Sequence, residues 1–170
     1  VFVGETHDRL AHHLNQLAII RGLHAIHPDL VIAVEYFQQP FQPYLDAYVA
    51  GSLDEKAMLK KTEYFERWGF DYRLYRPILQ YAQEHSIPLL ALNIPQEIRR
   101  KVGRSGLASL TPEERTQVPA EIDRSDPHYR KRLERVFHNH PNTDPGKAAG
   151  VFERFMDVQL LWDESMAERA

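Results

Sequence analysis

Residues 30–37 read LVIAVEYF. Five apolar residues run without interruption into Glu35, Tyr36 and Phe37. A run of this length and composition is strand-like, and it lacks the polar alternation of a strand with one wet face. It predicts a strand of a parallel sheet, covered by helices on both faces. Two further runs share its character. Residues 1–3 (VFV) lead into Gly4, and residues 87–92 (IPLLAL) lead into Asn93, Ile94 and Pro95. Between these runs lie helical stretches. Residues 8–27 have Asp8 as a candidate cap and a stop at His27-Pro28. Leu10, Leu14 and Leu17 form one apolar face of that helix, and Ile19, Leu23 and Ile26 the opposite one. A helix apolar on both sides is expected to be buried on both.

The alternation continues. Ser52-Leu53-Asp54-Glu55 has capping-box spacing and predicts a helix through about residue 61. Trp68-Gly69-Phe70 reads as an aromatic loop, residues 72–85 as a helix interrupted early by Pro77, and residues 96–102 as a short helix. Strand and helix thus alternate as in a parallel α/β sheet of at least three strands. After Gly103 the pattern changes. Thr111-Pro112-Glu113-Glu114 is a helix start. Residues 127–140 and 148–169 read as helices joined by a mobile PNTDPG loop. The expected fold is α/β: a mostly parallel sheet flanked by helices over residues 1–103, and a helical subdomain over 104–170. Both belong to one domain. Val1 already lies inside a strand pattern and the closing MAERA inside a helical one, so the domain is expected to be incomplete at both ends.

The totals exclude several classes. The 170 residues are 43% hydrophobic and 26% charged, with a net charge of −3, which offers no basic surface for nucleic acid. There is no cysteine, which removes thiolate metal sites, disulfides and cysteine nucleophiles. No apolar run approaches the roughly 20 residues of a membrane-spanning helix.

The strands of a parallel sheet end at one edge, and ligands bind outside those ends. Glu5 and His7 follow the first strand, Glu35 closes the second and Asn93 the third. The expected strand-end pocket is therefore Glu5, His7, Glu35 and Asn93, with Arg76 as a cation able to neutralise a buried carboxylate. Glu5 and Glu35 could share a proton or a cation. His7 with the two carboxylates could in principle hold a metal, though no HExxH-type spacing supports it. The plainer alternative makes Asp8 a cap, His7 a turn residue and Glu35 the partner of an arginine. His12 and His13 point about 100° apart on a helix and cannot chelate one ion together. Phe152, Phe155, Met156, Val158, Trp162 and Met166 form an apolar stripe at helical spacing: a core face, or else a cofactor wall. Part of that surface is expected to stay exposed unless something covers it. His138 and His140 lie near a helix end.

With these residues in view, the chain resembles the ChaN-like haem-binding family. That family belongs to a larger group with the Tiki and TraB proteins and resembles the erythromycin esterases. The likeness runs along almost the whole chain, through VFVGETHD, AVEYF, WGFDYRLYRPIL, IPLLALNIP and FERFMDVQLLWDESMAE. The resemblance implies a sheet core with a helical subdomain. It implies haem binding for bacterial iron uptake by a protein of the cell envelope, often lipid-anchored, and so favours a binding protein over an enzyme. It also implies a homodimer holding two stacked haems, with a tyrosine on the iron and a histidine assisting from the other subunit. In the wider group a G-x-x-H motif occurs twice and, in Tiki proteins, accompanies metal-dependent peptidase activity. Gly4-Glu5-Thr6-His7 matches the first copy, while the second, GNGH, is not in this chain. A metal-dependent hydrolase using Glu5, His7 and Glu35 is accordingly the alternative function. Where relatives show an aromatic pair, this chain has Phe155-Met156; Tyr129 beside His128 is the nearest tyrosine alternative. The haem-binding candidates are thus His128, Tyr129, His138, His140, Phe155 and Met156. A porphyrin needs a broad apolar surface, and its propionates would be repelled by Glu5 and Glu35. The haem is therefore expected on the helical region.

Overall fold

A computed structural model describes residues 1–138 and 148–170. The chain divides into two compact units, residues 1–92 and 93–170.

Unit 1 begins with nine residues outside any helix or strand. The expected strand at residues 1–3 is not formed: Phe2 is 97% exposed. A strand exists only through its ladder, and here the polar tie is Gln16 Nε2 donating to Val3 O at 3.2 Å. Helix α1 (Leu10–Ile26) follows. Asp8 does not cap it; Arg9 holds the cap position without a side-chain bond, and its N–H donates to Thr6 O at 2.9 Å. Nor is α1 buried on both sides. His13 and Leu17 are buried, while Leu10, Leu14, Ile19 and Ile26 are exposed. Its single packed face follows from a single large neighbour, helix α5 (Tyr72–Glu84).

Strand β1 (Ile32–Gln38) outlasts the expected end at 35–37 and pairs with β2 (Leu89–Asn93) in a parallel two-stranded sheet. Expected burial on both faces of β1 is also corrected. Ile32 and Val34 are buried, but Val31 and Ala33 are exposed, so one face is covered. Among the described residues the sheet has two strands rather than three.

Between the strands run a short 3-10 turn (Gln39–Phe41), α2 (Gln42–Val49), α3 (Glu55–Lys61), α4 (Tyr64–Arg67) and α5. The cap of α3 is Asp54, whose Oδ1 accepts from Ala57 N at 2.7 Å; Ser52, expected to open the box, instead donates to Ala47 O. Pro77 does not interrupt α5. A mid-helix proline costs about 3 kcal/mol. Burial of Tyr72, Tyr75, Ile78, Leu79 and Ala82 on the opposing stripe is worth more, at about 1.5–3 kcal/mol per large side chain. Gln42 ties α2 to the sheet: its Nε2 donates to Leu89 O, and its Oε1 accepts from Ala91 N.

Unit 2 is helical after Asn93. It contains α6 (Gln96–Ser105), a 3-10 turn (Leu107–Ser109), α7 (Pro112–Arg115), α8 (Pro127–His138) and α9 (Ala148–Arg169). The start at Thr111 is a complete capping box with Glu114. The stripe on α9 is core on two sides. Leu161 packs with Ile94, Ile98 and Val102. Phe152, Met156 and Leu160 pack with Leu133 and Phe137 of α8. The apolar surface expected to remain exposed on α9 is thus shared between two helices. His140 and the PNTDPG loop lie outside the described residues. No described helix is long and apolar enough to cross a membrane.

Candidate functional site

The polar excess of GETHD is concentrated on Glu5. Its Oε1 accepts from the Tyr75 hydroxyl at 2.9 Å and lies 2.7 Å from His7 Nδ1. Its Oε2 stands 2.9 Å from His13 Nδ1, an ion-pair distance that is off the angle of a hydrogen bond. One carboxylate therefore faces two imidazoles and a phenol. The Glu5 side chain is 11% exposed, His13 is 1% and His7 is 34%. A carboxylate so far withdrawn from water needs these partners.

Local backbone explains the arrangement. Residues 6–9 turn tightly, with Arg9 N on Thr6 O, and His12 Nδ1 accepts from Thr6 N at 2.8 Å. His13, on the next position of α1, points inward and bonds His7 O at 3.1 Å. The two adjacent histidines thus serve different neighbours, as helix geometry requires. The aromatic loop closes the outside: the His7 ring lies 4.8 Å from Trp68 and 4.6 Å from Phe70. The Tyr75 ring meets His13 edge-on at 4.4 Å and lies tilted against Tyr36 at 4.4 Å.

The tyrosines around Glu5 resist ionisation. Burial pushes the Tyr75 phenol up; Trp68 opposes this, while the Glu5 bond and the charges of Glu5 and Glu35 add to it. Burial, with Tyr64, Glu5 and Tyr75 nearby, does the same to Tyr36. Both Glu5 and Glu35 therefore act on one phenol. Asn93 is buried at the end of β2. Arg76 pairs with Glu55, Nε to Oε2 at 2.9 Å, on a half-exposed surface. The 2.7 Å contact of Glu5 with His7 is a hydrogen-bond length, so these atoms are engaged with each other. Among the described residues no group of three or more His, Asp or Glu side chains is placed to hold a metal. No observation favours the hydrolase alternative.

Unit 2 carries a second set of polar groups around Tyr129. The Tyr129 hydroxyl donates to Asp163 Oδ2 at 2.5 Å. Burial and Asp163 hold this phenol well above its ordinary range, with Arg132 opposing. A cavity of about 200 Å³ beside it is lined by Arg124, Arg130, Met156 and Leu160, and by Asp126 and Glu164. An open groove of about 1020 Å³ shares Asp123, Arg124 and Glu164 with that cavity. Arg124 pairs with Asp157. Arg130 reaches Glu153 at 2.6 Å and the Met156 sulfur at 3.6 Å. The other candidates are dispersed. His128 and His138 are exposed on α8, Phe155 is half-buried 5.4 Å from Phe137, and Met156 is buried in the α8–α9 core.

Sequence reading missed Tyr75, His13 and Asp163 as site members. Tyr75 sits on the buried stripe of α5 and reads as core, and no local pattern joins Asp163 to a tyrosine 34 residues earlier. The aromatic loop WGF was the available signal beside Glu5.

A two-stranded α/β unit joined to a helical unit, with a carboxylate–imidazole–phenol cluster in the first, defines the class. The family model described as haem-binding uptake, Tiki superfamily, ChaN, matches residues 1–170. The chain belongs to the ChaN family. A solved structure, cofacial heme binding to ChaN of Campylobacter jejuni, shares the fold with a TM-score of 0.74 at 15% identity. The match covers 97% of this chain and 62% of that one, so the chain spans about three fifths of its structural relative. No curated protein matches the chain.

Proposed function

We propose that this chain binds haem as cargo and serves bacterial haem or iron uptake. Membership of the ChaN family over all 170 residues carries this reading. The haem is assigned to unit 2, at the groove beside Tyr129. The donor chemistry fits: tyrosine is an established ligand of haem iron. Ligation requires the phenol to lose its proton; burial and Asp163 oppose that loss, so the ferric ion itself would have to drive it, while the bond to Asp163 Oδ2 at 2.5 Å orients the hydroxyl. Met156 and Leu160 supply apolar lining. Ligand sites usually enclose about 300–1,000 Å³, and the inner cavity of about 200 Å³ is smaller. A porphyrin would therefore lie across the groove mouth, with Tyr129 reaching up to it. The carboxylates of Asp123, Asp126 and Glu164 repel propionates, which would point away from the groove, while a ferric centre gains from the same charges.

The family resemblance further motivates a haem-promoted homodimer and an envelope location through a lipid anchor outside this sequence. Two haems stacked between subunits would bury each other's apolar faces, and haem would stabilise the pair by mass action. The experiment is an absorbance titration of the chain with ferric haem, with sedimentation of the loaded sample. A shifted Soret band saturating at fixed stoichiometry is the expected result. A featureless, non-saturating spectrum would sink the reading, and a haem-loaded monomer would remove the dimer from it.

A further inference from the structure

We propose that His24 and His85 form an exchangeable site for a divalent cation of the zinc class on unit 1. His24 lies in the last turn of α1, and His85 is the residue that ends α5. Their ring centroids are 5.4 Å apart with planes at 60°. Tyr81, one turn before His85, packs 4.2 Å from the His85 ring, and its hydroxyl lies 3.0 Å from His24 Nδ1.

Each observation has a chemical consequence. The Tyr81 bond engages His24 Nδ1, which directs the lone pair to Nε2 when Nδ1 carries the proton. An outer partner of this kind is how metal-binding imidazoles are usually oriented. The spacing also suits one ion. With bonds of about 2.0–2.1 Å and a ring radius of about 1.2 Å, two imidazoles on a tetrahedral ion hold their centroids roughly 5.2 Å apart, and on a right-angled one roughly 4.5 Å. The observed 5.4 Å lies near the tetrahedral value. Two helix ends meet here, and each presents the negative end of its dipole, which favours a cation.

Two protein ligands leave two positions for water, since no third His, Asp or Glu is placed to join them among the described residues. The Arg21 guanidinium, 5.3 Å over the Tyr81 ring, adds a like charge nearby. Both features make the site one that fills and empties, unlike a closed structural site with four ligands.

The test is calorimetric titration of the haem-free chain with Zn²⁺, with Co²⁺ absorbance as the readout of geometry. One ion per chain and a tetrahedral Co²⁺ spectrum are expected. His24→Ala and His85→Ala should each weaken Zn²⁺ at least tenfold, and Tyr81→Phe should weaken it severalfold. His24 and His85 are partly or fully exposed, so the variants are expected to fold, as circular dichroism checks. Absence of a saturable site in the wild-type chain overturns the proposal. So does a site that survives either histidine substitution.

Discussion

Each unit holds a tyrosine hydroxyl on a carboxylate, and the two pairs sit in opposite surroundings. In unit 1 Tyr75 donates to Glu5, which also faces two imidazoles and is covered by Trp68 and Phe70 through His7. In unit 2 Tyr129 donates to Asp163, an exposed residue lining the small cavity that adjoins the groove. The same bond is a packing element in one case and an accessible donor in the other. What differs is the number of partners that the carboxylate already has and how much water reaches it.

The comparison breaks first on the cores that hold each pair. Leu79 and Leu161 are both fully buried, one in each unit. Leu79→Ala and Leu161→Ala should each cost about 2–5 kcal/mol, read by urea unfolding. Alkaline pH should separate the units next. Burial pushes the Tyr48 phenol of unit 1 up to about 12 from 10.0. Its folded value is raised, so its contribution is complete below the unfolded value and is lost as pH climbs through the folded one. Between pH 10 and 12 that loss is about 2–3 kcal/mol. Tyr36, Tyr64, Tyr72 and Tyr75 are shifted the same way, against Tyr129 in unit 2. Unit 1 should therefore open first in an alkaline titration followed by fluorescence, and Tyr48→Phe should flatten its slope. Equal loss in both units would contradict the contrast.

The paired substitutions sharpen it. Glu5→Gln and Tyr75→Phe each disturb a withdrawn hydrogen bond and should cost about 1–3 kcal/mol of stability, while haem affinity stays within twofold. Tyr129→Phe should do the reverse. Haem binding should weaken tenfold or more, about 1.4 kcal/mol, with the unfolding midpoint nearly unchanged. The smallest effect is expected at Asp54, where Asp54→Ala removes the α3 cap for about 1 kcal/mol, visible as a modest shift in melting temperature.

The sequence made the α/β alternation and most helices legible because those signals are local. The helix start at Thr111, the stop at His27 and the apolar runs at 30–34 and 87–92 need no distant partner. What failed depended on neighbours. VFV has strand composition, but a strand needs a ladder, and residues 1–3 have none here. LVIAV looked buried on both faces, yet coverage comes from what packs above and below, and Val31 and Ala33 remain exposed. Pro77 looked like a break because its cost is local, whereas the compensating stripe of α5 is tertiary. At the site, Glu5 and His7 announced themselves as surplus chemistry in a turn. Tyr75 and His13 did not: Tyr75 meets Glu5 from 70 residues away, and His13, beside His12, reads as a structural residue.

The central claim is that haem is held by unit 2 around Tyr129 and leaves the Glu5 cluster untouched. Amide hydrogen exchange with and without haem tests it directly. The expected result is haem-dependent protection confined to residues 122–133 and 156–164, with no change at residues 5–13 and 68–75. Protection at 5–13 and 68–75, with none around Tyr129, would place the haem in the wrong unit and contradict the assignment.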